Sequence, residues 1–197
     1  MTENHLPPGP HLDLLMEALD AEAGAQRALL DGDAATASHM FDAAARRYRA
    51  SFECAPPASY GRLVGMLKAA IIAGNPTDAV AFARQALADA EATPTAGYAT
   101  AIAALVDGDG DAARRGADLM RGGDERFART ADAIIALVDG DGAAYTRACH
   151  AIVADFEERS EHLTGVAIAD TAAMLEILAA DRGLACHPVS PVMPVPA

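Results

Sequence analysis

Leu105-Val106-Asp107-Gly108-Asp109 returns as Leu137-Val138-Asp139-Gly140-Asp141, and both echo Leu29-Leu30-Asp31-Gly32-Asp33. Ile71-Ile72-Ala73-Gly74-Asn75 is a looser copy. In each phrase an apolar helical pattern runs up to a glycine, and an Asp or Asn opens the next. Glycine ends a helix because it tolerates the left-handed backbone just past the last turn. Asp or Asn starts one by accepting an orphan backbone N–H. Two helices joined by so short a turn fold back antiparallel.

Positions five, nine and twelve beyond each glycine agree with this. They are Ala37, Phe41 and Ala44; Ala79, Ala83 and Ala86; Ala113, Ala117 and Met120; and Tyr145, Cys149 and Ile152. All are apolar or small, at the spacing of one helix face. The glycines stand 42, 34 and 32 residues apart, which is the period of helical repeats. Expected helices cover 11–30, 33–53, 59–73, 76–91, 95–107, 110–121, 124–139, 142–163 and 168–182. Asn75-Pro76 reads as a cap followed by Pro at the first helical position. Gly165 separates the last two helices, with Asp170 near the new start. If the helix instead runs straight through, Asp170 shares a face with Leu163, Ala167 and Met174 and becomes a buried acid needing a partner.

The composition fits an all-α chain. Hydrophobic residues make up 52%, but aromatics only 5% and Trp none, so helices must approach closely on small side chains. The organisation expected is a flexible N-terminus (1–10), one helical domain (11–183) and an extended Pro-rich tail (184–197). The formal net charge of −13, with no clustered basic stripe, argues against nucleic acid and favours a partner with a basic surface. No apolar run reaches a membrane span and no signal segment is visible. Three cysteines without a framework suit a reducing compartment, so a cytoplasmic location is expected.

The glycine-acid turn followed by small residues at those offsets resembles the tetratricopeptide repeat, over about residues 15–160. The family's bulky aromatic early in the first helix is mostly absent here. The resemblance implies stacked antiparallel hairpins in a right-handed superhelix, with the first helix of each pair lining a concave groove. Carried onto this chain, the groove positions are Glu22 and Gln26, Val64 and Lys68, Tyr98 and Ile102, and Thr130 and Ile134, with aliphatic residues beyond them. That is an apolar groove, and an open one of any size needs a cover. Three covers are available: the chain's own last helix or tail, a second copy giving a homodimer, or a partner helix or peptide. The opposing reading makes these residues plain hairpin core.

Chemical motifs are thin. Asp107-Gly108-Asp109-Gly110-Asp111 imitates a calcium loop, but Ala112 holds its glycine position and Asp118 its bidentate Glu position. Cys149-His150 and Cys186-His187 are adjacent pairs; neighbours on a helix point in different directions, so Cys149 and His150 cannot easily chelate together, and Cys149 falls on the core face. Glu158 and His162 stand one turn apart, the spacing of an ordinary surface pair. No metal, cofactor or catalytic residue is expected, and the chain is read as not an enzyme. Residues 164–194, a helix ending in Arg182-Gly183 and an extended stretch closing on Ser190-Pro191-Val192-Met193-Pro194, resemble the C-terminal part of some all-helical bacterial toxin-immunity proteins. The function expected is therefore a protein-binding scaffold, of immunity type if that resemblance holds. The alternative is an accessory protein that holds a small hydrophobic ligand in an apolar groove. If the groove frame is right, Ile102→Asp abolishes partner binding and leaves helicity intact.

Overall fold

In the computed structural model, which describes residues 9–194, the chain is all-α, with nine helices and no strand among the described residues. They are α1 (Pro10–Leu30), α2 (Ala34–Glu53), α3 (Gly61–Ala73), α4 (Thr77–Ala86), α5 (Pro94–Asp107), α6 (Gly110–Met120), α7 (Glu125–Asp139), α8 (Gly142–Glu157) and α9 (Asp170–Ala180). Pro10 opens α1 at the first helical position and Gly9 is its N-cap, so the helix start takes in two residues assigned above to the flexible terminus; residues 1–8 lie outside the described residues. Three helices fall short by four residues or more, α9 spanning Asp170–Ala180 rather than 168–182. α4 stops at Ala86, and α8 stops at Glu157 rather than at 163. Beyond Glu157, Arg159 folds back onto Asp155 and the His162 ring stacks on Phe156.

The four corners share one geometry. Gly32, Gly74, Gly108 and Gly140 all take positive φ, from 69 to 84°. The amides of Asp33, Asn75, Asp109 and Asp141 reach back to the carbonyls of Ala28, Ala70, Ala104 and Ala136 at 2.9–3.0 Å, the six-to-one bond that closes a helix C-terminus. Asp33, Asp109 and Asp141 then cap the next helix, accepting from Thr36, Ala112 and Ala144. The alternating acids of 107–111 are thus corner chemistry. Asn75 closes α3 but does not cap α4 with its side chain. Asp107 pairs with Arg84 and Asp139 with Arg114, tying each corner to the preceding pair of helices.

Antiparallel pairing follows from the contacts. Ser51 donates to the His11 carbonyl at 2.6 Å and Arg47 pairs with Glu17 across α1 and α2. Arg129 and Asp155 pair across α7 and α8. α5 and α6 touch backbone to backbone: a Cβ on Gly116 would lie 2.6 Å from the Gly97 carbonyl oxygen and 2.8 Å from the Ala101 nitrogen. The core is alanine-rich, with Tyr145, Phe41, Leu63, Leu67, Ile102 and Ile134 as its bulk.

α9 returns across α3, α7 and α8. The last helix, one of the three covers considered, packs against α3 and α7, two of the helices that carry groove positions. The Arg182 side chain extends the contact by donating to the Leu105 carbonyl at the end of α5. The tail then runs back along the body, where Val192 and Met193 are buried and the Val192 carbonyl accepts from Ala169 at 2.7 Å. Residues 195–197 lie outside the described residues. No helix among the described residues is long and apolar enough to cross a membrane.

Gly116→Ala tests the close α5–α6 approach. Alanine gains about 1 kcal/mol of helix propensity, but a methyl forced against backbone costs about 1–3 kcal/mol. A net loss of stability is expected in urea unfolding. Gly61→Ala, with nothing within 4 Å of its added methyl, should be neutral or stabilising.

Candidate functional site

A cavity of about 210 Å³ lies between α1, α3, α5, α7, α8 and the 158–171 segment. Its floor is polar. Glu22 on α1 accepts from the Tyr48 hydroxyl at 2.5 Å and from Gln26 at 3.4 Å. Tyr48 reaches it by laying its ring over Gly65, where any Cβ would fall 2.8 Å from the ring. Lys68 on α3 pairs with Asp170 at the start of α9, and its ammonium also donates to Thr171 at 3.4 Å. Thr164 donates to Gln26. The Tyr98 hydroxyl is buried near Thr171 without a well-formed hydrogen bond.

Electrostatics at the floor are set by burial and by the charge pair. Burial, then the neighbouring Asp170, push the Glu22 carboxyl above its ordinary range, against the pull of Lys68 and Tyr48. Burial alone would lower the Lys68 ammonium, but Asp170, Tyr98 and Glu22 around it hold it above its usual value. Lys68 therefore stays charged although its side chain is only 13% exposed, as a buried cation must be paired to persist.

The rim is cationic and partly aromatic. Arg126, Arg129 and Arg159 converge on one carboxylate, Asp155, with Arg129 at 2.6 Å. Burial would raise the Asp155 carboxyl, but these guanidinium groups, Arg159 foremost, hold it below its ordinary range. Arg159 also lies 3.6 Å over the Phe156 ring. Glu158 and Glu161 face the adjoining shallow hollow beside Arg126 and Arg159. Leu163, at the lip between the cavity and both neighbouring hollows, is 83% exposed.

Of the eight groove positions read from the sequence, Glu22, Gln26, Lys68, Tyr98 and Thr130 line this cavity, and Val64 lines the hollow next to it. Ile102 and Ile134 do not. Both have no exposed surface; they lie one turn beyond Tyr98 and Thr130 on the same faces, where the cavity has closed and the core begins. Ile102→Asp would place a charge in the core and unfold the chain rather than remove a contact. Glu22, Lys68, Asp170 and Thr171 bring charge and polarity into a lining that also carries Phe127, Ile152, Val166 and Ile168. Asp170, Asp155 and the three rim arginines escaped sequence reasoning. The one signal available was Asp170 as a possible buried acid, and its partner is Lys68. Glu158 and His162, read as one helical turn apart, lie past the end of α8.

Comparison of the chain with protein-family models, curated proteins and solved structures finds no match.

Glu22 gives the floor a pH signature. Its folded carboxyl titrates above the ordinary value of 4.5, so between those two points the folded chain holds a proton that the unfolded chain has lost. Its contribution to stability therefore grows as pH falls through that window. Glu22→Gln should be most favourable relative to the parent at neutral pH, and the advantage should shrink as pH drops toward 4.5. Urea unfolding at a series of pH values measures it. A difference independent of pH would mean the carboxyl is not raised.

Proposed function

We propose that the chain is a non-catalytic binding protein that seats a short segment of another polypeptide over this cavity. The observation that carries the proposal is Leu163, 83% exposed at the mouth of a charged cavity, on a twelve-residue connection (158–169) between α8 and α9. Long connections held by a rigid scaffold are where binding residues concentrate. A volume of about 210 Å³ is small beside ligand pockets of about 300–1,000 Å³. It suits one side chain or a chain terminus. Three guanidinium groups sharing Asp155 favour a carboxylate in that segment, since arginine recognises carboxylates through paired donors. The acidity of the chain as a whole, −13, favours a partner whose wider surface is basic.

The tetratricopeptide resemblance supports the same proposal through the four alike corners, and neutralising a toxin would be one instance of it. A small polar ligand is the second reading, favoured by the buried, poorly bonded Tyr98 hydroxyl on the floor. A purely hydrophobic ligand is disfavoured, because it would cover Lys68, Glu22 and Asp170 without meeting their charge.

A library of short peptides with free C-termini, selected on the folded chain, tests the proposal. Carboxylate-bearing sequences should emerge. Leu163→Asp and Arg129→Met should each weaken the best peptide about tenfold or more by calorimetry with unchanged circular dichroism. Peptides that bind both variants as they bind the parent would overturn the proposed site. A co-purifying small molecule in native mass spectrometry, with no peptide selected, would favour the second reading.

A further inference from the structure

Cys149 on α8, Glu176 on α9 and Cys186 in the tail lie far apart in sequence, yet their ligand atoms fall within 4.8 Å of one another. They sit away from the cavity, where α8, α9 and the tail meet. The Glu176 Oε1 atom is 3.9 Å from the Cys149 sulfur and 3.4 Å from the Cys186 sulfur. A tetrahedral zinc ion bound at ordinary Zn–S and Zn–O lengths sets its sulfur and oxygen ligands about 3.6 Å apart, so the two separations bracket that value. The carboxylate is held in place by the Tyr145 hydroxyl at 2.7 Å and by the backbone N–H groups of Cys186 at 3.1 Å and His187 at 2.6 Å. Outer partners of this kind orient metal ligands.

The backbone at His187 is a second, independent observation. His187 takes φ +48°, a left-handed conformation shared among non-glycine residues only with Ala58 within the described residues. Such a conformation costs energy and marks places where the surroundings impose it. Here it directly follows two successive N–H groups that both donate to Glu176. The His187 side chain is 71% exposed, with Nδ1 3.7 Å from Glu176 Oε2.

We propose that Cys149, Glu176 and Cys186 bind a thiophilic divalent cation of the zinc type, with a solvent ligand at the fourth corner, and so staple the tail to α8 and α9. Binding exchanges the two thiol protons for the cation: two S–H bonds break, two metal–sulfur bonds form, and two protons go to solvent. No electrons are transferred. A thiolate-rich set selects such ions over magnesium and calcium, which prefer oxygen ligands.

Cobalt(II) titration of the full chain, reduced with a phosphine, tests this. The expected result is a thiolate-to-cobalt charge-transfer band with the visible d–d bands of a tetrahedral site, saturating at one ion per chain and bleached by zinc. Zinc should also raise the melting temperature. Cys149 is fully buried and its replacement could loosen the core, so Cys186→Ser in the tail is the deciding variant. It should lose more than the about 10–100-fold in affinity typical of an outer partner, with unchanged circular dichroism and no melting response to zinc. Cys54→Ser, at an exposed position, should behave as the parent. No charge-transfer band in the parent, or a band that survives Cys186→Ser, would overturn the proposal. So would a reduced chain that is silent to cobalt but loses two hydrogens to hydrogen peroxide through a Cys149–Cys186 disulfide.

Discussion

Lys68 and Asp170 are 13% and 16% exposed, and each is the other's ion-pair partner. A buried ammonium without a counter-charge costs several kcal/mol, so α3 cannot present Lys68 to the cavity unless α9 returns to meet it. Asp170 stands at the first position of α9, where a carboxylate also suits the positive end of the helix. One contact thus ties the start of the last helix to α3 beside the cavity. Glu22, Tyr48 and Thr171 are arranged around that pair, and the cavity is the space the arrangement leaves.

The rest of the scaffold makes that return possible by being thin. Alanine and glycine on facing helices let α5 and α6 approach until backbone meets backbone, and glycine at position 65 lets Tyr48 cross α3 to reach Glu22. An aromatic core would have pushed the helices apart. The stability of such a core comes from close contact more than from bulky side chains. Polar groups buried within it must then be paired with care, and most are. Those without partners among the described residues include the Tyr98 hydroxyl and the His11 Nε2.

Much of the helical architecture was legible because its causes are local. A glycine in left-handed conformation and an acid at the next helix start act within a few residues, so the four corners could be read directly from the phrases at 31–33, 73–75, 107–109 and 139–141. The cavity floor was legible in part, because residues one turn apart on a first helix share a face whatever the packing. Which turns of that face stay open was not legible. Ile102 lies one helical turn beyond Tyr98, yet it is in the core while Tyr98 lines the cavity. Where the open stretch ends depends on tertiary contacts such as Lys68 to Thr171, which join residues about a hundred positions apart. The early end of α8 and the meeting of Cys149 with Cys186 depend in the same way on how the 158–169 segment and the tail fold back.

The dependence on Lys68 and Asp170 can be measured with a double-mutant cycle. Lys68→Met, Asp170→Asn and the double variant would be compared with the parent by urea unfolding, with circular dichroism confirming the helical content of each. If the pair holds α9 in place, each single change leaves an uncompensated buried charge and the double change removes both. The double variant should then lose about 2 kcal/mol less than the sum of the singles. Losses that add to within about 0.5 kcal/mol would show that α9 is seated by other contacts and that the ion pair is incidental to the fold.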